Sequence, residues 1–397
     1  MTYQPLHHKY RPQTFAQLVG QDAIATTLSN ALSQRRIAPA YLFTGARGTG
    51  KTSSARIFAK SLNCIAVTEP TDAPCGVCET CQAITTGSAL DVVEIDAASN
   101  AGVDKIREVI ERAQFSSVHC RYKVYILDEA HSLSGAAFNA LLKTLEEPPD
   151  RVVFILATTD PQRVLPTIIS RCQRYNFQRI DQSAIAKHLA YIAHQEGISI
   201  HPTAIDLIAS LSQGGLRDAQ SLLDQLSLLS GEITTEQVYK LVGAIPESAL
   251  LELLKAIVHQ DEASALDQIR CLTQSGKDAL SILQGLAGML RDLCLAMART
   301  RANLSRVMPS TWQELCELAS QCSRAQVQSL QTILRESEPQ IRQSKDAVLW
   351  LESLILEVSS DRDETLQRSL EEPDKVDVRI PSPTLSNWES ALASLEY

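Results

Sequence analysis

No uninterrupted apolar run in the 397-residue sequence approaches the roughly 18 residues that a bilayer-spanning helix needs, so no membrane span is expected. The opening residues, Met1-Thr2-Tyr3-Gln4-Pro5-Leu6-His7-His8, have no apolar signal core, and a secreted chain is not expected. Positive charge is in deficit: 37 Lys and Arg stand against 46 Asp and Glu, a net −9. That excludes nucleic-acid binding by bulk charge and leaves room for a local basic groove. No repeat recurs at a fixed period, and no low-complexity tract is present. Ten cysteines do not make a disulfide scaffold in a chain of this length. Clustered cysteines point to metal, and scattered ones to packing. What is present is an apolar content of 44%, which rules out disorder throughout, in a chain long enough for about two to four domains.

Short apolar runs alternate with helical stretches in the first part. Ala40 to Thr44, Asp91 to Ile95, Lys123 to Leu127, Val152 to Ala157 and, more weakly, Arg174 to Phe177 read as strands. Val103 to Ala113 and Gly135 to Leu145 carry helical spacing between them. Strands alternating with helices predict a parallel sheet covered on both faces. From about Asp181 the strand signal stops. Ser183 to Gln195, Thr203 to Leu211 and Leu216 to Leu229 repeat apolar residues at helical spacing, with Gly197 and Gly214-Gly215 as stops. After Gly243-Ala244-Ile245-Pro246 a further helical block runs to about Ser359, with Leu and Ile spaced for packing in Leu250 to Val258 and Ala279 to Leu295. From Ser360 onward, Pro373, Pro381 and Pro383 fall among charged and Ser residues, which predicts a flexible tail. Its last stretch, Trp388 to Tyr397, reads as one short amphipathic turn or peptide motif.

Gly45-Ala46-Arg47-Gly48-Thr49-Gly50-Lys51-Thr52 matches G-x-x-x-x-G-K-[ST] in full. It follows a strand and opens a helix read over Ser53 to Leu62, as the motif requires. The glycines let main-chain N–H groups curl around phosphate oxygens, and the helix start adds partial positive charge. Lys51 can neutralise the β/γ-phosphates, and Thr52 can ligate Mg²⁺. Val124-Tyr125-Ile126-Leu127-Asp128-Glu129 is an apolar strand ending in two acids. Asp128 would hold Mg²⁺ and Glu129 would polarise the attacking water. No N-K-x-D guanine reader occurs, which favours ATP.

Cys64, Cys75, Cys78 and Cys81 fall in one stretch, with Cys75-x₂-Cys78-x₂-Cys81 as its core. Four thiolates suit a closed tetrahedral zinc site that staples a loop too small to have its own core. A redox pair and an iron–sulfur site are the other readings. Cys120, Cys172, Cys271, Cys294, Cys316 and Cys322 are scattered and read mainly as packing. Thr158 and Thr159 end the fourth strand. A hydroxyl there either touches the γ-phosphate or its water, or caps the strand. Arg171, in Ser170-Arg171-Cys172, and Arg217, in Gly214-Gly215-Leu216-Arg217-Asp218, read either as phosphate-reaching arginines or as surface ion pairs.

Taken in order, these residues resemble the gamma/tau clamp-loader ATPases of bacterial DNA polymerase III. The likeness runs over about residues 3 to 245. It includes His8-Lys9-Tyr10-Arg11-Pro12 with Phe15, Val19-Gly20-Gln21, the phosphate loop, the four cysteines and Asp96-Ala97-Ala98-Ser99. It continues through Leu127-Asp128-Glu129-Ala130-His131, Leu142 to Pro149, Ser170-Arg171-Cys172 and Gly215-Leu216-Arg217-Asp218-Ala219. The resemblance implies an α/β AAA+ module, a parallel sheet flanked by helices with a Cys₄ zinc insert at 64–81, over residues 1–179. It also implies a three-helix lid over 180–243, an all-α collar for oligomerisation over 244–360 and a tail over 361–397. By matching position, Arg171 would be a finger acting on a neighbour's ATP, Arg217 a lid arginine acting in its own subunit, and Thr158, or else Thr159, the sensor. Tyr10, Arg11 and Val19 would border the adenine and ribose.

The implied cofactors are ATP, Mg²⁺ at Thr52 and Asp128, and Zn²⁺. The implied partners are delta and delta-prime subunits, further copies of this chain, a sliding clamp and primer–template DNA, in a cytoplasmic, nucleoid-associated replisome. ATP binding would open the clamp, and hydrolysis would release it around DNA during chromosomal replication. Where a basic DNA contact is expected, Asn100-Ala101-Gly102 stands instead, with Lys105 and Arg107 on the helix that follows. The likeness is to the short form of the family, without helicase- and polymerase-binding domains. The sequence leaves two rival readings. One is a helicase, suggested by Asp128-Glu129-Ala130-His131 but requiring a second motor domain. The other is a scaffold that binds nucleotide without hydrolysing it.

Overall fold

The computed structural model describes residues 3–298 and 307–359. The predicted tail and its Trp388 to Tyr397 stretch lie outside the described residues. The chain divides into two compact units at Ala244/Ile245.

The first unit opens with α1 (Leu6–Lys9) and α2 (Asp22–Ser33). An α/β alternation follows: β1 (Ala40–Gly45), α3 (Lys51–Asn63), α4 (Glu79–Thr86), β2 (Val92–Asp96), α5 (Val103–Ala113) and β3 (Lys123–Asp128). It continues with α6 (Gly135–Glu146), β4 (Val152–Thr158), α7 (Pro166–Ile169) and β5 (Gln173–Phe177). All strand pairs are parallel, in the order β2-β3-β4-β1-β5. The three central strands are buried along nearly their whole length, so they read as continuous apolar runs. The edge strands β2 and β5 are only partly buried, and β5 is the weak run whose inward residues are Tyr175 and Phe177.

Alternate side chains serve opposite faces. Tyr41, Phe43, Val124, Ile126, Val153 and Ile155 pack with Leu28, Ile57 and Phe58 of α2 and α3. Leu42, Tyr125, Leu127, Phe154 and Leu156 pack with Ile106, Val109, Phe138 and Leu141 of α5 and α6. This layering delivers the carboxyl ends of β1, β3 and β4 to one edge of the sheet, where ligands bind in such folds.

Two local readings shift. The strand read from Asp91 starts at Val92. Asp91 is buried, and its carboxylate accepts N–H bonds from Val118 (2.9 Å), His119 (2.7 Å) and Cys120 (2.9 Å). The helix read to Leu229 stops at Leu226, and Leu228 is exposed. Four helices complete the unit: α8 (Gln182–Glu196), α9 (Pro202–Leu211), α10 (Leu216–Leu226) and α11 (Thr235–Val242). They share a core of Ile185, Leu189, Ile192, Leu207, Ile208, Leu223 and Val238. The lid helices are thus joined by α11, a short helix that packs on α9 and α10.

The second unit is helical: α12 (Glu247–Val258), α13 (Glu262–Gln274), α14 (Ala279–Met297), α15 (Pro309–Ala319), α16 (Arg324–Gln343) and α17 (Ala347–Ser359). By length and composition alone α14 is apolar enough to cross a membrane, although no uninterrupted apolar run within it approaches that length. Arg291 and Asp292 break its run. Its buried Ile282, Leu286, Leu290 and Leu293 belong to the core shared by the helices of this unit.

Candidate nucleotide site and cysteine cluster

The phosphate loop leaves the carboxyl end of β1 through Gly45 at φ 146°, where an added Cβ would meet the Phe177 carbonyl at 2.2 Å. Gly50 sits at φ 101° as the cap that starts α3 at Lys51, two residues before the expected start. Lys51 is 6% exposed, and its ammonium donates to the carbonyls of Gly45 (2.9 Å) and Ala46 (2.8 Å). Burial lowers its pKa, and the nearby Glu129 and Asp128 work against that. Thr49 donates to the Ala46 carbonyl (2.8 Å).

Parallel pairing fixes the end of β3 across the sheet from the loop. There the Thr52 hydroxyl donates to Asp128 Oδ2 at 2.7 Å, and the Glu129 N–H donates to Asp128 Oδ1 at 2.9 Å. Glu129 itself adopts φ 47°, turning the chain sharply at the strand end.

A cavity of about 230 Å³ lies over the loop. Arg47, Gly48, Thr49, Gly50, Lys51 and Thr52 line it, with Asp128, Glu129, Tyr10, Arg11, Val19 and Arg217. The lid reaches the loop directly, since the Leu216 N–H donates to the Gly48 carbonyl at 3.1 Å. An added Cβ on Gly48 would stand 3.1 Å from the Gly215 Cα, so this approach depends on glycine. The Tyr10 hydroxyl bonds Glu196 of α8; burial first, then Glu196, pushes its pKa up to about 12. Burial likewise lowers the pKa of Arg11. His188 and Gln220 also line the cavity, and their side chains meet at 3.2 Å. The sequence offered no signal for these two, because only the fold of the lid brings them over the loop.

The remaining candidates stand outside the lining. Thr158 is fully buried; its Oγ1 accepts the Asp160 N–H (3.0 Å) and lies 3.1 Å from His131 Nδ1. Thr159 donates to Glu129 Oε2 (3.0 Å). Arg171 pairs with Glu146 and donates to the Thr167 carbonyl (2.6 Å). Lys105 and Arg107 of α5 pair with Glu108 (2.8 Å) and Asp104 (3.2 Å) on their own helix.

The four cysteines come together past the end of α3. The sulfurs of Cys64, Cys75, Cys78 and Cys81 all lie within 4.8 Å of one another. A tetrahedral zinc–thiolate site has sulfurs about 3.8 Å apart, so the donor set and its spacing fit zinc. Main-chain N–H groups already point at the sulfurs, Cys75 to Cys64 (3.4 Å) and Cys78 to Cys75 (3.3 Å). Burial raises the Cys78 thiol, but N–H donors led by Cys81 outweigh it and bring the pKa down to about 6. Burial pushes the Cys81 thiol up. The Arg121 guanidinium braces the insert by donating to the carbonyls of Leu62 (3.0 Å) and Cys64 (2.8 Å).

A parallel sheet, a phosphate loop opening a helix and a helical lid over that loop define an AAA+ ATPase-type fold. The family models agree along the chain. Residues 20–181 match "DNA polymerase III, delta subunit", residues 184–230 match "DNA polymerase III clamp loader subunit, ATPase lid domain", and residues 233–368 match "DNA polymerase III subunits gamma and tau domain III". The chain is 41% identical to DNA polymerase III subunit tau of Bacillus subtilis, over 90% of this chain and 63% of that one. It is 38% identical to subunit tau of Escherichia coli, over 90% and 55%. Against subunit gamma/tau of Mycobacterium tuberculosis it is 37% identical, over 98% and 69%. Among solved structures, Bacillus subtilis DNA clamp loader delta protein aligns at 15% identity and TM-score 0.39, over 84% of this chain and 99% of that one. Thermotoga maritima RuvB aligns at 18% identity and TM-score 0.44, over 63% and 79%. The chain belongs to the DNA polymerase III gamma/tau family of clamp-loader subunits. It spans about half to two thirds of the length of the Bacillus subtilis and Escherichia coli relatives.

Proposed function

We propose that this chain is an ATP-hydrolysing motor subunit of a DNA polymerase III clamp loader. The observation that carries the reading is the convergence of Lys51, Thr52, Asp128, Glu129 and the lid residue Arg217 on one cavity. The loop N–H groups and Lys51 bind the phosphates, and Arg217 draws the lid onto them. Thr52 and Asp128 would hold Mg²⁺, which when bound supplies positive charge to the phosphate oxygens. Glu129 orients water and accepts its proton. Thr158 acts as the sensor at the end of β4. Tyr10, Arg11 and Val19 border the base and sugar.

Arg171 leaves Glu146 to reach a neighbour's ATP, so hydrolysis is completed between subunits. Binding of ATP opens a sliding clamp for loading on primer–template DNA, and hydrolysis releases it. The working assembly contains delta and delta-prime subunits and further copies of this chain, held by the helical unit, in a cytoplasmic replisome. Cys64, Cys75, Cys78 and Cys81 would hold zinc, whose contribution is a cross-link that fixes the insert on α3.

The helicase rival loses ground because the described residues contain one sheet, not two. The scaffold rival leaves Glu129 in the cavity without a role. The test is ATPase activity of the purified chain mixed with partner subunits, with and without sliding clamp and primed DNA. Stimulation by clamp and DNA, lost in Arg171→Ala with ATP binding retained, is the expected result. Equal rates for wild type and Arg171→Ala would remove the role between subunits. Strand separation by the chain would favour the helicase.

A further inference from the structure

We propose that His131 is a positioning residue that couples Thr158 to Glu129. This deepens the ATPase reading and rests on it. His131 lies outside the lining of the cavity, on the short 3₁₀ turn Ala130–Ser132 that follows β3. The left-handed turn at Glu129 folds that segment back, and His131 Nδ1 comes to 3.4 Å from Glu129 Oε2. The same nitrogen lies 3.1 Å from Thr158 Oγ1. One ring atom therefore faces the carboxylate that borders the cavity and a buried hydroxyl at the end of β4.

Hydrogen-bond accounting gives this contact two settings. Thr158 Oγ1 already accepts the Asp160 N–H, leaving one lone pair and its own proton. When Thr158 donates to Nδ1, the ring proton sits on Nε2, the Nδ1 lone pair is taken by the hydroxyl, and Nδ1 has no proton to offer Glu129. The carboxylate is then held by the Thr159 hydroxyl alone, at 3.0 Å. When Nδ1 carries the proton, it is shared between Thr158 and Glu129, and Glu129 is drawn toward β4. The orientation of the Thr158 hydroxyl thus sets whether Glu129 is drawn back or released to the water. Nothing in this arrangement requires His131 to touch nucleotide, so its loss should change turnover and not binding.

The test compares ATP affinity and kcat for wild type, His131→Ala and His131→Asn in the assembly reconstituted with partner subunits, clamp and primed DNA. His131→Ala should lower kcat on the order of 10- to 100-fold with ATP affinity unchanged. His131→Asn, which keeps a polar atom near the Nδ1 position, should recover most of the rate. The kcat defects of Thr158→Val and His131→Ala should combine to less than the product of the two, because both act in part through one contact. A wild-type rate in His131→Ala, no rescue by Asn, additive defects, or a parallel fall in ATP affinity would each overturn the proposal. A wild-type assembly that does not hydrolyse ATP would instead remove the ATPase reading beneath it. Retained ATP binding shows that each variant is folded.

Discussion

In the first unit Gln21, Thr49, Lys51 and Thr158 are buried polar side chains, whereas the helical unit fills its interior with Leu and Ile and buries few polar side chains, Asp292 and Thr311 among them. Burying a polar group costs free energy unless it is paired. The first unit meets that cost with loop carbonyls and strand-end acids, arranged where a charged ligand can replace or join them. The helical unit has no such arrangement among its described residues, and its α14 is held by apolar contact. One region is therefore built to exchange partners and the other to keep them.

The sharpest way to break this contrast is Leu286→Ala in α14, a fully packed position. Unfolding of the helical unit in denaturant should show a loss of about 2–5 kcal/mol, while ATP affinity measured by calorimetry on the full chain stays at its wild-type value. A matching fall in affinity would erase the contrast. Lys51→Ala should do the reverse. ATP affinity should drop about 100-fold or more, because charge-assisted bonds to phosphate are lost, with little change in the melting temperature of nucleotide-free protein.

Asp91→Asn sharpens the comparison inside the first unit, since this buried acid serves structure rather than the cavity. Burial raises its pKa, but the N–H groups of His119, Val118 and Cys120 outweigh it, holding the carboxyl below its ordinary 3.8. A lowered folded-state pKa gives stability that is present above the unfolded value and lost as pH falls through the folded one. Asp91→Asn should therefore cost about 1–3 kcal/mol at neutral pH, and the gap from wild type should close in melts run below about pH 4. The smallest effect is expected for Tyr10→Phe. It removes the bond to Glu196 between the N-terminal segment and the lid and should cost about 1 kcal/mol, read as a shifted denaturation midpoint.

Much of the fold and of the site is legible in the sequence, and the reasons are physical. The phosphate loop and the Cys75-x₂-Cys78-x₂-Cys81 spacing are local, so residues close in sequence must be close in space. The central strands announce themselves because parallel strands are buried on both faces. What escaped was contact between distant residues. His131 reaches Thr158 across 27 positions, and Tyr10 reaches Glu196 across 186. Asp91 looked like the first residue of a strand because its partners, the N–H groups of 118–120, carry no side-chain signature. The apolar character of α14 was hidden by Arg291 and Asp292, since counting uninterrupted runs ignores helical averaging. The pairing of Arg171 with Glu146, 25 positions away, likewise leaves no pattern in the sequence.

Helix α3 carries Lys51 and Thr52 in its first turn and hands the chain to Cys64 just past its last, over 13 residues. At 1.5 Å per residue that is a rod of about 20 Å. With zinc on the four thiolates at one end, such a rod would have few ways to yield when the loop at the other end took up an anion. On the proposed ATPase reading, recoil on losing the terminal phosphate would then pass to the lid and the strand ends, with the thiol anchor as a backstop for work generated far from it.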